Sequence, residues 1–330
     1  MPKDLFAIAI GASTGGVEAL LKIAESLPAK FPAIVLVTQH IGNYASLLPE
    51  LMRASGPNHA MHPDDGDRPL PGTIYVAPPD CHLMLERDCL RLFRGPKENY
   101  TRPAIDPMFR SVAMSMRSRA IGIVLTGHLD DGTVGLKAIK HCGGVAIVQD
   151  PATAREPSMP RSALANVDVD LCLPLAEIVP AVQRIIAGGP RQAVPDAPID
   201  ALNHEQLVHD GSQPMENLAA IADPSMLTCP DCGGGLWEIK DGKPLRYRCH
   251  TGHAFTAQTL AHAQTETAEF AMWAGVRALH EKEVLLRRLA RVAHSHGDHA
   301  QAEAGERQAD DTRAQAADLV KMIERKERGA

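Results

Sequence analysis

Ser13 lies between glycines in Gly11-Ala12-Ser13-Thr14-Gly15-Gly16, just after an apolar run and just before an amphipathic segment. Two chemistries use such a turn. It can cradle a phosphate at a helix N-terminus, or, as G-x-S-x-G, it can raise a serine as a nucleophile. A dinucleotide site also needs an acidic residue roughly 20 positions on, at the end of the second strand, to hold the ribose. Here the second apolar run ends in Thr38-Gln39-His40, and no acid occurs between positions 29 and 49. Hydrolysis fits better: His40 closes that run, and Asp130-Asp131 follows the apolar run 120–126. Acyl transfer requires a serine to attack, a histidine to take its proton and an aspartate to fix the histidine tautomer. Spacing alone does not choose between Asp130 and Asp131. The Thr14 backbone N–H, first after the serine and at a helix start, is a candidate oxyanion donor.

A second cluster of ligand-type residues comprises Cys229-Pro-Asp-Cys232 and Cys249-His250-Thr-Gly-His253. A C-x-x-C knuckle joined by a third cysteine and a histidine suits a tetrahedral Cys3His zinc site. His253 completes the set, with His250 as the alternative. Four protein ligands leave no open position, so the expected zinc is structural and catalysis is expected to need no cofactor. So short a module has little core, and metal would supply its folding energy.

Elements must bring these residues together. Residues 5–11, 33–38, 120–126 and 145–149 read as buried strands. Residues 17–27 carry apolar side chains at three- and four-residue spacing, and 132–141 and 175–187 are further helix candidates. Strand–helix alternation of this length predicts an α/β fold, a mostly parallel sheet with helices on both faces. Residues 73–77, 83–87 and 90–94, with their short connections, predict a small antiparallel insertion. Residues 1–190 would form the catalytic domain. The stretch 191–225, rich in Pro, Gly, Asp and Gln, reads as a linker. Then follow a zinc-ribbon-like module over 226–258 and a helical tail over 259–330. The tail carries two apolar helix faces, broken at His294-Ser-His-Gly-Asp-His299 into a hairpin. Dimerisation is one way those faces could be covered. The long linker implies that metal loss would spare activity on a small ester.

Bulk properties narrow the class. The chain has 330 residues and a net charge of −6, which disfavours a nucleic-acid partner bound through phosphate neutralisation. No apolar run approaches the roughly 20 residues of a membrane span. Seven cysteines, one pair at metal spacing, fit a reduced, cytoplasmic protein better than a disulfide framework.

The first 190 or so residues resemble the catalytic domain of the CheB family, the chemotaxis protein-glutamate methylesterases. The matching segments are "IGASTGGVEAL", "VTQHI", "IYVAPPDCHLML", "RPAIDPMFRSVA", "VLTGHLDDGTVGLKAIK" and "VAIVQDPATAREPSMPRSAL". The resemblance implies a triad of Ser13, His40 and Asp131, preferring Asp131 to Asp130. It also implies demethylation of glutamyl esters in methyl-accepting chemoreceptors, and deamidation of certain receptor glutamines. His128 would donate its backbone N–H to the oxyanion. Two departures stand out. Thr126-Gly127-His128-Leu129 replaces the family's usual T-G-M-G, putting leucine where glycine is usual. The family's usual phosphoacceptor receiver domain is not found ahead of the esterase motifs, so its phosphorylation switch is expected to be missing from this polypeptide. Arg102, Arg110, Arg155 and Arg161 could steer an acidic receptor helix, although single arginines are ordinarily structural or solvated. The competing functions are a catalytically weak signalling adaptor on the same fold and, disfavoured by the missing acid, a nicotinamide-dependent reductase.

Overall fold

The computed structural model describes residues 5–41, 44–192, 199–240 and 243–327. In chain order the first elements are β1 (Phe6–Ala12), α1 (Gly16–Ser26), β2 (Ala33–Gln39), α2 (Leu48–Ser55), β3 (His59–Met61), β4 (Thr73–Val76), β5 (His82–Glu86) and β6 (Cys89–Phe93). They are followed by α3 (Ile105–Met116), β7 (Ala120–Val124), α4 (Thr133–His141), β8 (Val145–Gln149), α5 (Ser158–Asn166), β9 (Leu171–Leu173) and α6 (Leu175–Gly188). Seven strands pair in the order β3-β4-β2-β1-β7-β8-β9, all parallel.

The central strand shows why the sheet has two covered faces. Ala7 and Ala9 of β1 point into a core shared with Ile105, Phe109 and Val112 of α3 and Leu136 and Ile139 of α4. Phe6, Ile8 and Ile10, alternating with them, point to the opposite core with Leu20 and Ile23 of α1 and Ile178 and Val182 of α6. Each face of a strand repeats every second residue, so a run apolar at every position must be buried on both sides. The expected antiparallel insertion is only the β5–β6 hairpin. Residues 73–77 instead supply β4, a parallel neighbour of β2, because the chain after it leaves the sheet rather than turning back along it.

The stretch expected to be a linker is structured where it is described. It forms α7 (Ile199–His209) and α8 (Pro214–Ile221), while residues 193–198 lie outside the described residues. Its helices escape a periodicity reading because polar side chains occupy buried positions: Glu205 is 4% and His209 0% exposed, beside Val208 at 0%. The His209 ring packs edge-on against His82 and Phe93. A four-stranded antiparallel sheet follows, made of β10 (Ala222–Thr228), β11 (Gly235–Ile239), β12 (Arg246–Cys249) and β13 (Ala254–Thr256). Residues up to Leu260 form one compact unit, so this ribbon belongs with the parallel sheet.

The last two helices are α9 (Ala257–Ser295) and α10 (His299–Glu327). Residues 261–330 form a second unit. Its buried apolar side chains are mostly small, among them Ala290, Ala293, Ala309 and Ala316, together with Val276 and Ile323. Arg287 links the two helices through Glu306 and Asp310. Leu289 of α9 is 55% exposed.

Candidate active site

Three strand ends converge at the carboxyl edge of the parallel sheet, where ligands bind in open α/β folds. Ser13 follows β1 directly, and its backbone N–H donates to Thr126 O at 3.0 Å. The turn closes through Gly15, whose φ of 77° is left-handed. His40 follows β2, and its N–H donates to Ala12 O at 3.1 Å. Gln39 braces both, its Nε2 donating to Ser13 O at 2.8 Å and to His40 O at 3.0 Å. Asp131 lies in the loop between β7 and α4 and is 2% exposed.

The side chains form one hydrogen-bonded chain. Ser13 Oγ lies 3.1 Å from His40 Nδ1, and His40 Nε2 lies 2.7 Å from Asp131 Oδ2. With Asp131 ionised, Nε2 carries the proton and Nδ1 is left to accept from the serine. Asp131 is itself saturated with donors. The Ile105 N–H reaches Oδ2 at 2.6 Å; Oδ1 receives Gly132 N–H at 3.0 Å, Asp106 N–H at 3.2 Å and Asn99 Nδ2 at 2.8 Å. Two of these donors open α3, so Asp131 also caps that helix. Burial alone would lift its pKa, but His40 and these hydrogen bonds outweigh it and hold the carboxyl below its ordinary value.

The neighbouring acids are set differently. Burial, then the Asp131 charge, pushes Asp106 well above the usual carboxylate range. Burial is also the main cause that pushes Asp130 up to about 6, against an opposing hydrogen bond to Thr256. Only Asp131 of the adjacent pair reaches His40. Thr14 and His128 are both exposed on the loops beside Ser13. Gly127 must be glycine on packing grounds: a Cβ there would fall 2.0 Å from Met159 Sδ and 2.8 Å from Ser13 Cβ. Leu129 holds φ at 62°, a left-handed conformation that costs a side-chain-bearing residue roughly 1–2 kcal/mol.

The four ligand-type residues of the ribbon also meet. One donor atom from each of Cys229, Cys232, Cys249 and His253 lies within 4.8 Å of all the others. Zinc–sulfur bonds of about 2.3 Å in a tetrahedron put sulfurs about 3.8 Å apart, and Cys232 Sγ and Cys249 Sγ are 3.8 Å apart. His253 presents Nδ1 to Cys249 Sγ at 3.5 Å, while its Nε2 faces Asp231 Oδ2 at 3.9 Å. His250 is exposed and outside the set.

Sequence reasoning missed Asn99, Gln39 and Thr126. All three act through hydrogen bonds from loops or strand ends, which leave no periodic trace. Arg110 is resolved as structural: it is 1% exposed and bonded to Glu98 at 2.8 Å. Arg102 is likewise tied to Asp80 at 2.6 Å.

A parallel α/β sheet with this Ser–His–Asp chain on its carboxyl edge has the architecture of a serine hydrolase. The match to known proteins makes that specific: residues 8–182 match the CheB methylesterase family, and the chain belongs to it. The chain is 39% identical over 198 residues to a protein-glutamate methylesterase/protein-glutamine glutaminase of Chromohalobacter salexigens, covering 57% of this chain and 54% of that protein. A protein of the same name from Maricaulis maris is 35% identical over 187 residues, 55% of this chain and 47% of its own length. The chain thus spans about half the length of these two relatives. The crystal structure of the Thermotoga maritima CheB methylesterase catalytic domain superposes with a TM-score of 0.52 at 32% identity, covering 55% of this chain and 97% of that one. No described helix is long and apolar enough to cross a membrane.

Proposed function

We propose that this protein is a serine esterase that removes methyl groups from glutamyl esters of methyl-accepting chemoreceptors, and that it also deamidates receptor glutamines. The observation that carries this reading is the continuous chain from Ser13 Oγ through His40 to Asp131. Ser13 attacks the ester carbonyl as His40 Nδ1 takes its proton, and the same proton leaves with methanol. Water, deprotonated by His40, then frees the glutamate from the acyl-enzyme. The Thr14 and His128 backbone N–H groups are the oxyanion donors in this scheme, each worth roughly 3 kcal/mol of barrier. The four-ligand set of the ribbon holds a structural zinc, and the protein works in the cytoplasm. Methanol release from a methylated receptor, with Ser13→Ala as control, tests the proposal. A wild-type chain that binds receptor and releases no methanol would support the adaptor instead.

A further inference from the structure

The Cys/His ribbon reaches the active site through a single asparagine. Asn99 is 6% exposed and uses its whole amide. Nδ2 donates to Asp131 Oδ1 at 2.8 Å and to Asp106 Oδ2 at 2.8 Å. Oδ1 accepts from the Thr256 N–H at 3.2 Å and from Thr259 Oγ1 at 3.3 Å. Its backbone N–H donates to Ala254 O at 2.8 Å. One side of Asn99 therefore carries Asp131, and the other side is held by residues 254–259.

Those holding residues continue directly from the ligand cluster. β12 ends at Cys249 and β13 starts one residue after His253, so two of the four ligands form the turn of this hairpin. Cys249 N–H donates to His253 O at 2.9 Å, and Arg248 pairs with Ala254 across the strands. Arg248, 0% exposed, donates to Gly252 O in that turn at 2.9 Å. It also donates to Glu98 at 2.8 Å and to Glu205 at 2.9 Å. Glu98 immediately precedes Asn99. The turn is thus tied both to the loop that bears Asn99 and to the strand that Asn99 binds.

We propose that the ribbon is a positioning element of the esterase site: metal at Cys229, Cys232, Cys249 and His253 fixes the β12–β13 hairpin, and the hairpin fixes Asn99 against Asp131. Asn99 is a positioning residue, acting on His40 only through Asp131. The inference rests on the proposed role of Asp131. It also replaces the independence that a flexible linker would give, because metal binding to such a cluster is coupled to the order of the turn that carries its ligands. Misplacing a triad member by about 1 Å can cost on the order of 100-fold in rate.

The test uses the full-length chain, loaded with one equivalent of zinc measured by atomic emission, then stripped by a chelator under reducing conditions. The readout is the downfield NMR resonance of the His40 Nε2 proton shared with Asp131, assigned by its loss in His40→Gln. The resonance should be present in the loaded chain, disappear or move upfield on stripping, and return with zinc. Asn99→Gly, which tolerates the φ of 50° at this position, should alter the same resonance while retaining zinc. It should also lower kcat on a small ester on the order of 100-fold with little change in KM. A stripped chain that keeps both its circular dichroism and this resonance overturns the proposal. So does an unchanged resonance in Asn99→Gly, which decides the matter if stripping unfolds the chain. A loaded chain whose resonance depends on zinc but which releases no methanol overturns the esterase reading and leaves this one standing.

Discussion

His40 meets Ser13 through Nδ1 and Asp131 through Nε2, at 3.1 Å and 2.7 Å. The ring therefore spans the two partners with its β-carbon side toward the serine. In the proposed mechanism the serine, histidine and aspartate act as one unit. Ser13→Ala and His40→Ala should each remove nearly all turnover, and the double variant should lose little more. Additive losses in steady-state kinetics would separate the two residues. Asp131→Asn should cost far more than Asp130→Asn, since Asp130 does not touch the ring.

Asp130 offers a pH signature. Its carboxyl titrates at about 6 in the fold, against 3.8 as a reference. A raised carboxyl pKa means the native state holds more protons between those values, so stability falls as pH rises across that window. The penalty is complete above it. Asp130→Asn should therefore be more stable at pH 7 by on the order of 2 kcal/mol, with the two proteins converging below pH of about 4. Urea unfolding at both pH values measures it; equal midpoints at pH 7 would refute it.

Gly127 has no room for a methyl group. Gly127→Ala should push Met159 aside or displace Ser13, whose Cβ lies 2.8 Å from the added atom. We expect activity to fall by at least about tenfold from a small shift of the nucleophile, with a modest loss of thermal stability. Normal activity would mean that Met159 alone yields.

The buried charges around Arg248 make a stability prediction. Glu98 and Glu205 face Arg110 and Arg248, with Arg246 on Glu205. Removing Arg248 takes one charge-assisted hydrogen bond from each of two buried carboxylates that keep Arg110 and Arg246, so Arg248→Met should cost up to about 3 kcal/mol at pH 7. Burial alone would lift Glu205, but Arg246, Arg110 and Arg248 overcome it and bring it down to about 2. A depressed carboxyl pKa stabilises fully above the unfolded value and progressively less as pH falls toward the folded one. The deficit of Arg248→Met should accordingly shrink between about pH 4.5 and 2. By contrast Arg287→Ala, in a solvated ion cluster, should change stability little.

The parallel sheet and the placement of Ser13, His40 and Asp131 were legible because each rests on a local pattern. Doubly buried strands are apolar throughout, and the site residues stand where those runs stop. Asp131 could be preferred to Asp130 only through the family motif. What the sequence hid is the joint between the ribbon and the sheet. Helix α7 buries Glu205 and His209, which look like surface residues to any hydrophobic pattern, so its segment reads as a linker. Its partners lie about forty residues downstream at Arg246 and Arg248, and over a hundred upstream at Glu98. Polar contacts across such separations have no periodic sign. The position of β4 was hidden for a related reason, since strand direction depends on where the chain goes after leaving the sheet.

The division of those buried charges among three stretches also bears on how such a protein can be recombined. The ribbon supplies two interior guanidinium groups, Arg246 and Arg248, while the carboxylates that receive them come from α7 and from the loop before α3. Grafted onto an unrelated host, the ribbon would bring cations without their counter-charges. Deleted from this one, it would leave Glu205 sealed beside an incomplete set of partners. Glu98, Arg110, Glu205, Arg246 and Arg248 thus make one buried charge set drawn from distant stretches of the chain. A crossover between α7 and the ribbon would separate two of the cations from the carboxylates that receive them.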